Sequence, residues 1–215
     1  MPTSDLSVEQ HSIEGPVGAL EAKLELPEGP FRATALICHP HPLYGGTMDN
    51  KVVYMLARSF LMLGAVVLRF NFRGVGMSAG SFADGVGEVD DAVAACAWLR
   101  ERWPDLPLYL GGFSFGAAVA IRAAAAIRPA GLVTVALPVE RLGSDAPLPD
   151  VPWLLIHGAD DELVALDSLI DWLNDQAPGP ALEVIAGADH FFHGKLTALK
   201  DGVTGFFSPL PAADK

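Results

Sequence analysis

The chain is predicted to be an α/β protein, with a mostly parallel sheet flanked by helices on both faces. Short segments that are apolar at nearly every position recur along it, for example Ala33–Cys38 and Ala65–Phe70. Longer segments with helical periodicity lie between them, for example Val86–Arg102. Apolar strands that alternate with helices indicate a parallel sheet that is buried on both sides.

Length and composition favour a single domain. The chain has 215 residues, of which 51% are hydrophobic and 19% are charged. These values are typical of a globular protein that is long enough to bury its own core. We expect one α/β domain over residues 1–215, with an N-terminal hairpin in residues 1–28 and a frayed tail in residues 209–215.

The elements can be placed in order along the chain. Residues 8–13 and 17–26 alternate apolar and polar positions, so they predict an antiparallel hairpin turned by Glu14-Gly15-Pro16. The connection between residues 136 and 151 is rich in proline and has no amphipathic stretch, so no cap domain is expected there. The other predicted strands are residues 33–38, 65–70, 108–111, 132–136, 153–157 and 182–186, and the predicted helices are residues 51–63, 86–102, 117–127, 166–176 and 195–207.

Charge and cysteine content exclude several classes of function. The formal net charge is -12, which disfavours nucleic acid and anionic membranes as partners because like charges repel at long range. The N-terminal segment lacks the basic start and apolar stretch of a signal peptide. Cys38 and Cys96 are predicted to be buried, reduced thiols. We therefore expect a cytoplasmic protein that does not act at a membrane.

The most informative motif is Gly112-Phe113-Ser114-Phe115-Gly116. It follows a predicted strand and opens a predicted helix, which is the context of a nucleophile elbow. In such an elbow a tight turn holds the serine clear of the sheet, and the flanking glycines avoid clashes of Cβ atoms. The alternative is a glycine-bounded turn in which Ser114 only caps the next helix.

A nucleophilic serine needs a base and an acid from elsewhere in the chain. Serine is a weak nucleophile unless a histidine accepts its proton and a carboxylate orients that histidine. Two loops after predicted strands offer these groups, residues 157–164 with Asp160, Asp161 and Glu162, and residues 187–192 with His190. The other histidines to be weighed as base are His11, His39, His41, His157 and His193.

These motifs together resemble the α/β-hydrolase superfamily, in particular its small lidless bacterial serine hydrolases related to dienelactone hydrolases. The resemblance covers nearly the whole chain. The segments that carry it are His39-Pro40, residues 45–50, residues 69–78, the elbow, His157-Gly158 with Asp161 and Val164, and Asp189-His190-Phe191-Phe192.

The resemblance implies an α/β-hydrolase fold with a Ser-Asp-His set of catalytic residues. The acid loop fits the family's register of Gly158, Asp161 and Val164, which makes Asp161 the acid and Asp160 a turn residue. His190 is then the base. The amides of Phe115 and His41 would form the oxyanion hole, with Leu43 as the alternative second donor, because Pro40 and Pro42 have no N–H.

The expected function is hydrolysis of a small carboxylic ester without a cofactor. The alternatives are a thioesterase or another acyl hydrolase or transferase with the same residues, and a binding protein on the same scaffold. The expected partner is a small acyl substrate, and an edge strand or the last helix offers a surface for a homodimer. No metal is expected, because His39 and His41 have no matching carboxylate cluster. The expected substrate-binding residues are Leu43, Tyr44, Met77, Phe113, Leu137 and Phe191.

Overall fold

A computed structural model describes residues 8–142, 148–176 and 179–210. Among these residues there are eight strands and five α-helices. The strands are β1 (Val8–Gly15), β2 (Gly18–Glu25), β3 (Ala33–Cys38), β4 (Ala65–Phe70), β5 (Leu108–Phe113), β6 (Gly131–Val135), β7 (Trp153–Gly158) and β8 (Ala181–Ile185). The helices are α1 (Lys51–Met62), α2 (Val86–Arg102), α3 (Phe115–Ile127), α4 (Leu166–Asn174) and α5 (Leu196–Phe207).

The strands form one sheet in the order β1-β2-β4-β3-β5-β6-β7-β8. The hairpin strands β1 and β2 are antiparallel to each other, and β2 is antiparallel to β4. All the other neighbouring strands are parallel. The predicted mostly parallel sheet is therefore confirmed, and the carboxyl ends of six strands share one edge.

Helices cover both faces of the sheet, as predicted. Buried side chains of α2, α3 and α4 pack on one face, and those of α1 and α5 pack on the other. Strands β3 to β7 are buried at every position, which explains why their segments are apolar at nearly every position. Cys38 and Cys96 are both buried and free.

Several element boundaries differ from the sequence-based predictions. Strand β5 runs two residues further than predicted and ends at Phe113, because its ladder with β6 continues to the start of the elbow. The hairpin turn is Pro16-Val17, since Gly15 pairs with Gly18. Helix α4 ends at Asn174 rather than at residue 176.

No cap is found between β6 and β7 in the portion of the chain that the structure describes. The only helical segment in that portion is a single 3-10 turn, Val139–Arg141, and residues 143–147 lie outside the described residues. The predicted frayed tail also lies mostly outside them. Of that tail, Leu210 is buried in the core beside α5, so the chain packs against the fold at least to this residue.

None of the described helices is long and apolar enough to cross a membrane.

Candidate active site

Ser114 occupies a strained turn between β5 and α3. Its φ is 53° and its ψ is -120°, a conformation that costs a non-glycine residue about 1–3 kcal/mol. The Ser114 N–H donates to the carbonyl of Val135 at 2.8 Å, which ties the turn to the neighbouring strand β6. The side chain is half-buried, so its hydroxyl stays accessible at the carboxyl edge of the sheet.

Gly112 and Gly116 must be glycines because neighbouring backbone atoms leave no room for a Cβ atom at either position. A Cβ atom at Gly112 would overlap the carbonyl of Gly116. A Cβ atom at Gly116 would overlap the carbonyls of Cys38 and His39, at the end of β3. The motif therefore has a steric cause, and α3 can begin directly against the loop that follows β3.

A chain of hydrogen bonds links Ser114, His190 and Asp161. The Nε2 atom of His190 lies 3.2 Å from Ser114 Oγ. Its Nδ1 atom lies 2.8 Å from Asp161 Oδ2 and 3.0 Å from Asp161 Oδ1. With the proton on Nδ1, the ring donates to the carboxylate and leaves Nε2 free to accept the hydroxyl proton.

The loop after β7 holds the Asp161 carboxylate in place. Its Oδ1 accepts hydrogen bonds from the amides of Leu163 at 2.9 Å and Val164 at 2.8 Å. Burial by itself would raise the pKa of Asp161, but the His190 ring and the Val164 amide outweigh it and hold that pKa below its usual range. Asp161 is therefore a carboxylate at neutral pH.

The other acidic residues of this loop lie outside the chain of hydrogen bonds. Asp160 is exposed and its backbone amide donates to Ala188, so it helps to form the turn. Glu162 is also exposed, but its carboxylate accepts a long hydrogen bond of 3.4 Å from the His190 backbone amide. The sequence reasoning missed this contact, because nothing in the spacing of Glu162 and His190 indicates it.

His157 lies on the far side of Asp161 and is completely buried. Its Nε2–H donates to the carbonyl of Val164 at 2.9 Å, which braces the same loop. Burial lowers its pKa, so the ring is neutral. Within the described residues its Nδ1 has no hydrogen-bond partner.

His39 is locked into the backbone of the neighbouring loops. Its Nδ1–H donates to the carbonyl of Pro40 at 2.6 Å, and its Nε2 accepts from the amide of Phe72 at 3.0 Å. Burial lowers its pKa to about 4. Both ring nitrogens are thus engaged, and His39 joins the loop after β3 to the loop after β4.

The amides of His41 and Phe115 are the candidate oxyanion donors. Phe115 is the first residue of α3, and the first amides of a helix have no intrahelical acceptor. Within the described part of the chain neither amide donates a hydrogen bond. The rings of His41 and Phe115 are in contact, with centroids 4.9 Å apart, so the two residues are neighbours. The amide of Leu43, by contrast, already donates to His41 Nδ1.

A buried ion pair fixes the loop after β4. The guanidinium of Arg73 makes bonds of 2.9 Å and 2.7 Å to Asp91 in α2, and the Arg73 amide donates to the same carboxylate at 3.0 Å. Both side chains are buried. The ion pair therefore fixes the start of this loop against α2.

The six predicted substrate-binding residues fall into three groups. Leu43, Tyr44 and Met77 are highly exposed, and of these Leu43 and Tyr44 contact His41, whereas the amide of Met77 donates to Glu21 of β2. Phe113 and Leu137 are completely buried, and the ring of Phe113 packs beneath that of His190 with centroids 5.2 Å apart. Phe191 is half-buried and contacts both of those rings, at 6.0 Å and 5.1 Å.

A cavity of about 270 Å³ opens beside Phe115 and was not predicted. The sequence does contain one signal for it, since four of its lining residues in α3 share one helical face. Its lining residues are Asp84, Gly85, Phe115, Ala118, Val119, Arg122, Glu140 and Arg141. No cluster of three or more metal-ligating side chains is found among the residues described.

Comparisons with known proteins agree with this architecture. Residues 31–139 match the family model described as "Serine aminopeptidase, S33". The chain is 37% identical over 207 residues to an uncharacterized protein of Rickettsia prowazekii, with coverage of 90% of this chain and 86% of that protein.

Solved structures give the same result. A crystal structure from Xanthomonas campestris, an α/β serine hydrolase without lid, is 42% identical with a TM-score of 0.91, over 100% of this chain and 99% of that one. An α/β serine hydrolase homologue from Coxiella burnetii is also 42% identical, with a TM-score of 0.88, over 92% of this chain and 96% of that one. The fold and these similarities show that the chain belongs to the α/β-hydrolase superfamily and is one of its serine hydrolases.

Proposed function

We propose that the protein hydrolyses small carboxylic esters through an acyl-enzyme formed on Ser114. The observation that carries this proposal is the continuous hydrogen-bond chain from Asp161 through His190 to Ser114 Oγ. A serine in this setting has a base within reach, and the base has a carboxylate that selects its tautomer.

In the proposed acylation step, Ser114 Oγ attacks the carbonyl carbon of the ester. His190 Nε2 accepts the hydroxyl proton, and the resulting imidazolium is stabilised by the adjacent Asp161 carboxylate. His190 then donates this proton to the departing alkoxide. In the second step water attacks the acyl-enzyme, with His190 again accepting and returning the proton, which releases the acid and restores Ser114.

The oxyanion of each tetrahedral intermediate would be bound by the amides of Phe115 and His41. Two free donors that point to a developing negative charge stabilise the transition state more than the substrate. Their placement supports the proposal, because Phe115 follows the nucleophile directly and His41 packs on Phe115.

Small, accessible substrates fit the surroundings of Ser114. The exposed side chains of Leu43 and Tyr44, next to His41, provide apolar surface at the rim of the site. Such a rim favours short acyl groups or aromatic alcohols over long chains that need an enclosed tunnel. We therefore expect broad tolerance for the leaving group.

Hydrolysis of p-nitrophenyl esters across acyl chain lengths tests the proposal. We expect turnover by the wild-type protein, and a loss of about 10⁴-fold or more in kcat for Ser114→Ala, because the covalent intermediate can no longer form. Asp160→Asn, an exposed neighbour of the acid, is the matched control. Turnover that survives in Ser114→Ala would contradict the assignment.

Two further measurements separate the alternatives. Stoichiometric labelling of wild type but not of Ser114→Ala by a fluorophosphonate requires an activated serine, whereas a binding protein would not react. Parallel assays with a thioester and with an aminoacyl p-nitroanilide compare the classes of acyl bond. The anilide is included because the matching family model is named for a serine aminopeptidase.

A further inference from the structure

The cavity beside Phe115 is positioned to hold a part of the substrate. Phe115, Ala118, Val119 and Arg122 occupy positions i, i+3, i+4 and i+7 of α3, so they form one helical face that lines this cavity. Seven residues of helix span about 10 Å, so the cavity extends about this far from the candidate oxyanion amide. Its volume of about 270 Å³ is suited to a small group rather than a large ligand.

The side chain of Arg122 lines this cavity beside Gly85. Helical side chains are tilted toward the N-terminus of their helix, which directs Arg122 back toward Phe115. A Cβ atom built on Gly85 would lie 3.2 Å from Arg122 Nη1 and 3.4 Å from Phe115 Cε2. The guanidinium and the Phe115 ring therefore approach the same point, and the missing side chain of Gly85 leaves that point open.

Arg141 supplies a second positive charge to the lining of this cavity. It lies in the 3-10 turn after β6 and lines the same cavity. Its charge acts on the ring of His41, whose pKa is lowered by burial and, next in importance, by Arg141, while the carboxylates of Glu88 and Asp84 oppose this shift. Arg141 thus acts on His41 and Arg122 lies near Phe115, the two residues that carry the candidate oxyanion amides.

The two acidic residues of the cavity, Asp84 and Glu140, form no ion pair with these arginines. Asp84 and Glu140 are exposed, whereas Arg122 is half-buried. Among the described residues, neither Arg122 nor Arg141 has a carboxylate oxygen within 4.0 Å. Arginine binds carboxylates with two parallel hydrogen bonds, so two guanidiniums that line one cavity and form no ion pair with the described residues offer a favourable site for one anionic group.

We propose that Arg122 and Arg141 bind a carboxylate carried by the substrate, so that the preferred substrates are esters with a second, anionic end. This inference rests on the proposed ester hydrolysis at Ser114, and it names the class of ester. Arg122 is the primary anion-binding residue, and Arg141 orients the same group from the rim. The anionic end lies along α3 while the ester carbonyl lies at the amides of Phe115 and His41.

Matched pairs of esters test this specificity on both sides of the scissile bond. The first pair is the p-nitrophenyl half-ester of adipic acid and p-nitrophenyl hexanoate. The second pair is 4-acetoxybenzoate and 4-acetoxybenzamide. We expect the wild-type kcat/KM to favour the anionic member of at least one pair, and Arg122→Gln to lower that value by about 10- to 100-fold while the neutral member changes little.

Arg32→Gln is the charge-matched control, because Arg32 is exposed and precedes β3 at the opposite edge of the sheet. It should leave the preference unchanged. Equal kcat/KM for both members of both pairs, or an equal loss for both members in Arg122→Gln, would overturn the proposal.

Binding of adipate to Ser114→Ala separates this inference from the proposed chemistry. Calorimetry requires no turnover, so a site for the anion is detected even if no ester is cleaved. We expect millimolar or tighter binding that weakens at high salt and is lost in the double variant Ser114→Ala/Arg122→Gln. No binding, or binding that Arg122→Gln does not weaken, would overturn the anion site, whereas binding without any ester turnover would contradict only the proposed function.

Discussion

The loop after β3 and the loop after β8 each bring one buried histidine to the same edge of the sheet, with opposite results. His39 is 0% exposed and His190 is 3% exposed. Both nitrogens of His39 are bonded to backbone groups, namely the Pro40 carbonyl and the Phe72 amide. Those of His190 face two side chains, the Asp161 carboxylate and the Ser114 hydroxyl.

The difference shows that the partners of a histidine, rather than its burial, decide what it does. A backbone amide and a backbone carbonyl cannot exchange protons with the ring, so they lock His39 in one neutral tautomer. A carboxylate stabilises the charged ring, and a hydroxyl can give up its proton to it. The loop after β3 therefore acts as a rigid support, and the loop after β8 carries the candidate base.

Replacing the carboxylate partner of His190 should have the largest effect. Asp161→Asn keeps the shape but places an amide where the ring donates, so the Nδ1 proton loses its acceptor and the tautomer with Nε2–H is favoured. That tautomer cannot accept the Ser114 proton. We expect kcat for esters to fall by about 10⁴-fold with the fold retained, measured by ester hydrolysis and circular dichroism. A similar loss in the Asp160→Asn control would contradict this account.

Replacing His39 should change stability and its dependence on pH. The folded pKa of His39 is about 4, below the ordinary value of 6.5, so the unfolded chain takes up this proton first on acidification. The stability from neutral His39 is present above pH 6.5 and is lost as pH falls to about 4, a change of about 3 kcal/mol. Because glutamine does not titrate, His39→Gln should lose less free energy of unfolding between pH 7 and 4 than wild type.

Urea denaturation at several pH values between 7 and 4 measures this difference directly. The two proteins share their other titrating groups. The contribution of His39 is therefore the difference between their slopes of unfolding free energy against pH. If the free energy of unfolding changed with pH equally in wild type and in His39→Gln, the fold would not be holding the His39 ring neutral.

Replacing a third histidine, His193, should have the smallest effect on activity and stability, so this variant serves as the reference for the other two. His193 lies on the exposed surface, where its backbone amide donates to Asp189 and its ring contacts the same carboxylate. Its ring bonds neither Ser114 nor a backbone group of another loop. We expect His193→Gln to change kcat/KM by less than about 2-fold and the free energy of unfolding by less than about 0.5 kcal/mol. A loss of activity as large as that expected for Asp161→Asn would show that a residue other than His190 takes part in proton transfer.

Local patterns made much of the fold predictable. Strands β3, β4 and β7 are apolar at nearly every position because both of their faces are covered, and their predicted boundaries differ from the structure by at most one residue. The turn at Ser114 was predictable because the spacing of Gly112 and Gly116 around the serine is visible in the sequence, although the backbone at the end of β3 is what requires Gly116. Boundaries that depend on pairing, such as the end of β5, were not, since the ladder with β6 is a tertiary contact.

By itself, the sequence determined the α/β architecture, the elbow and the loops in which a base and an acid would have to lie, because periodicity and glycine spacing are local properties of the chain. Only the tertiary structure decided which groups meet. Ser114 and His190 are 76 residues apart in the chain, and His190 and Asp161 are 29 apart, yet each pair is within hydrogen-bond distance. The cavity with Arg122 and Arg141 likewise exists only where α3 and the turn after β6 converge. Such contacts depend on how helices and strands pack, which no local pattern encodes.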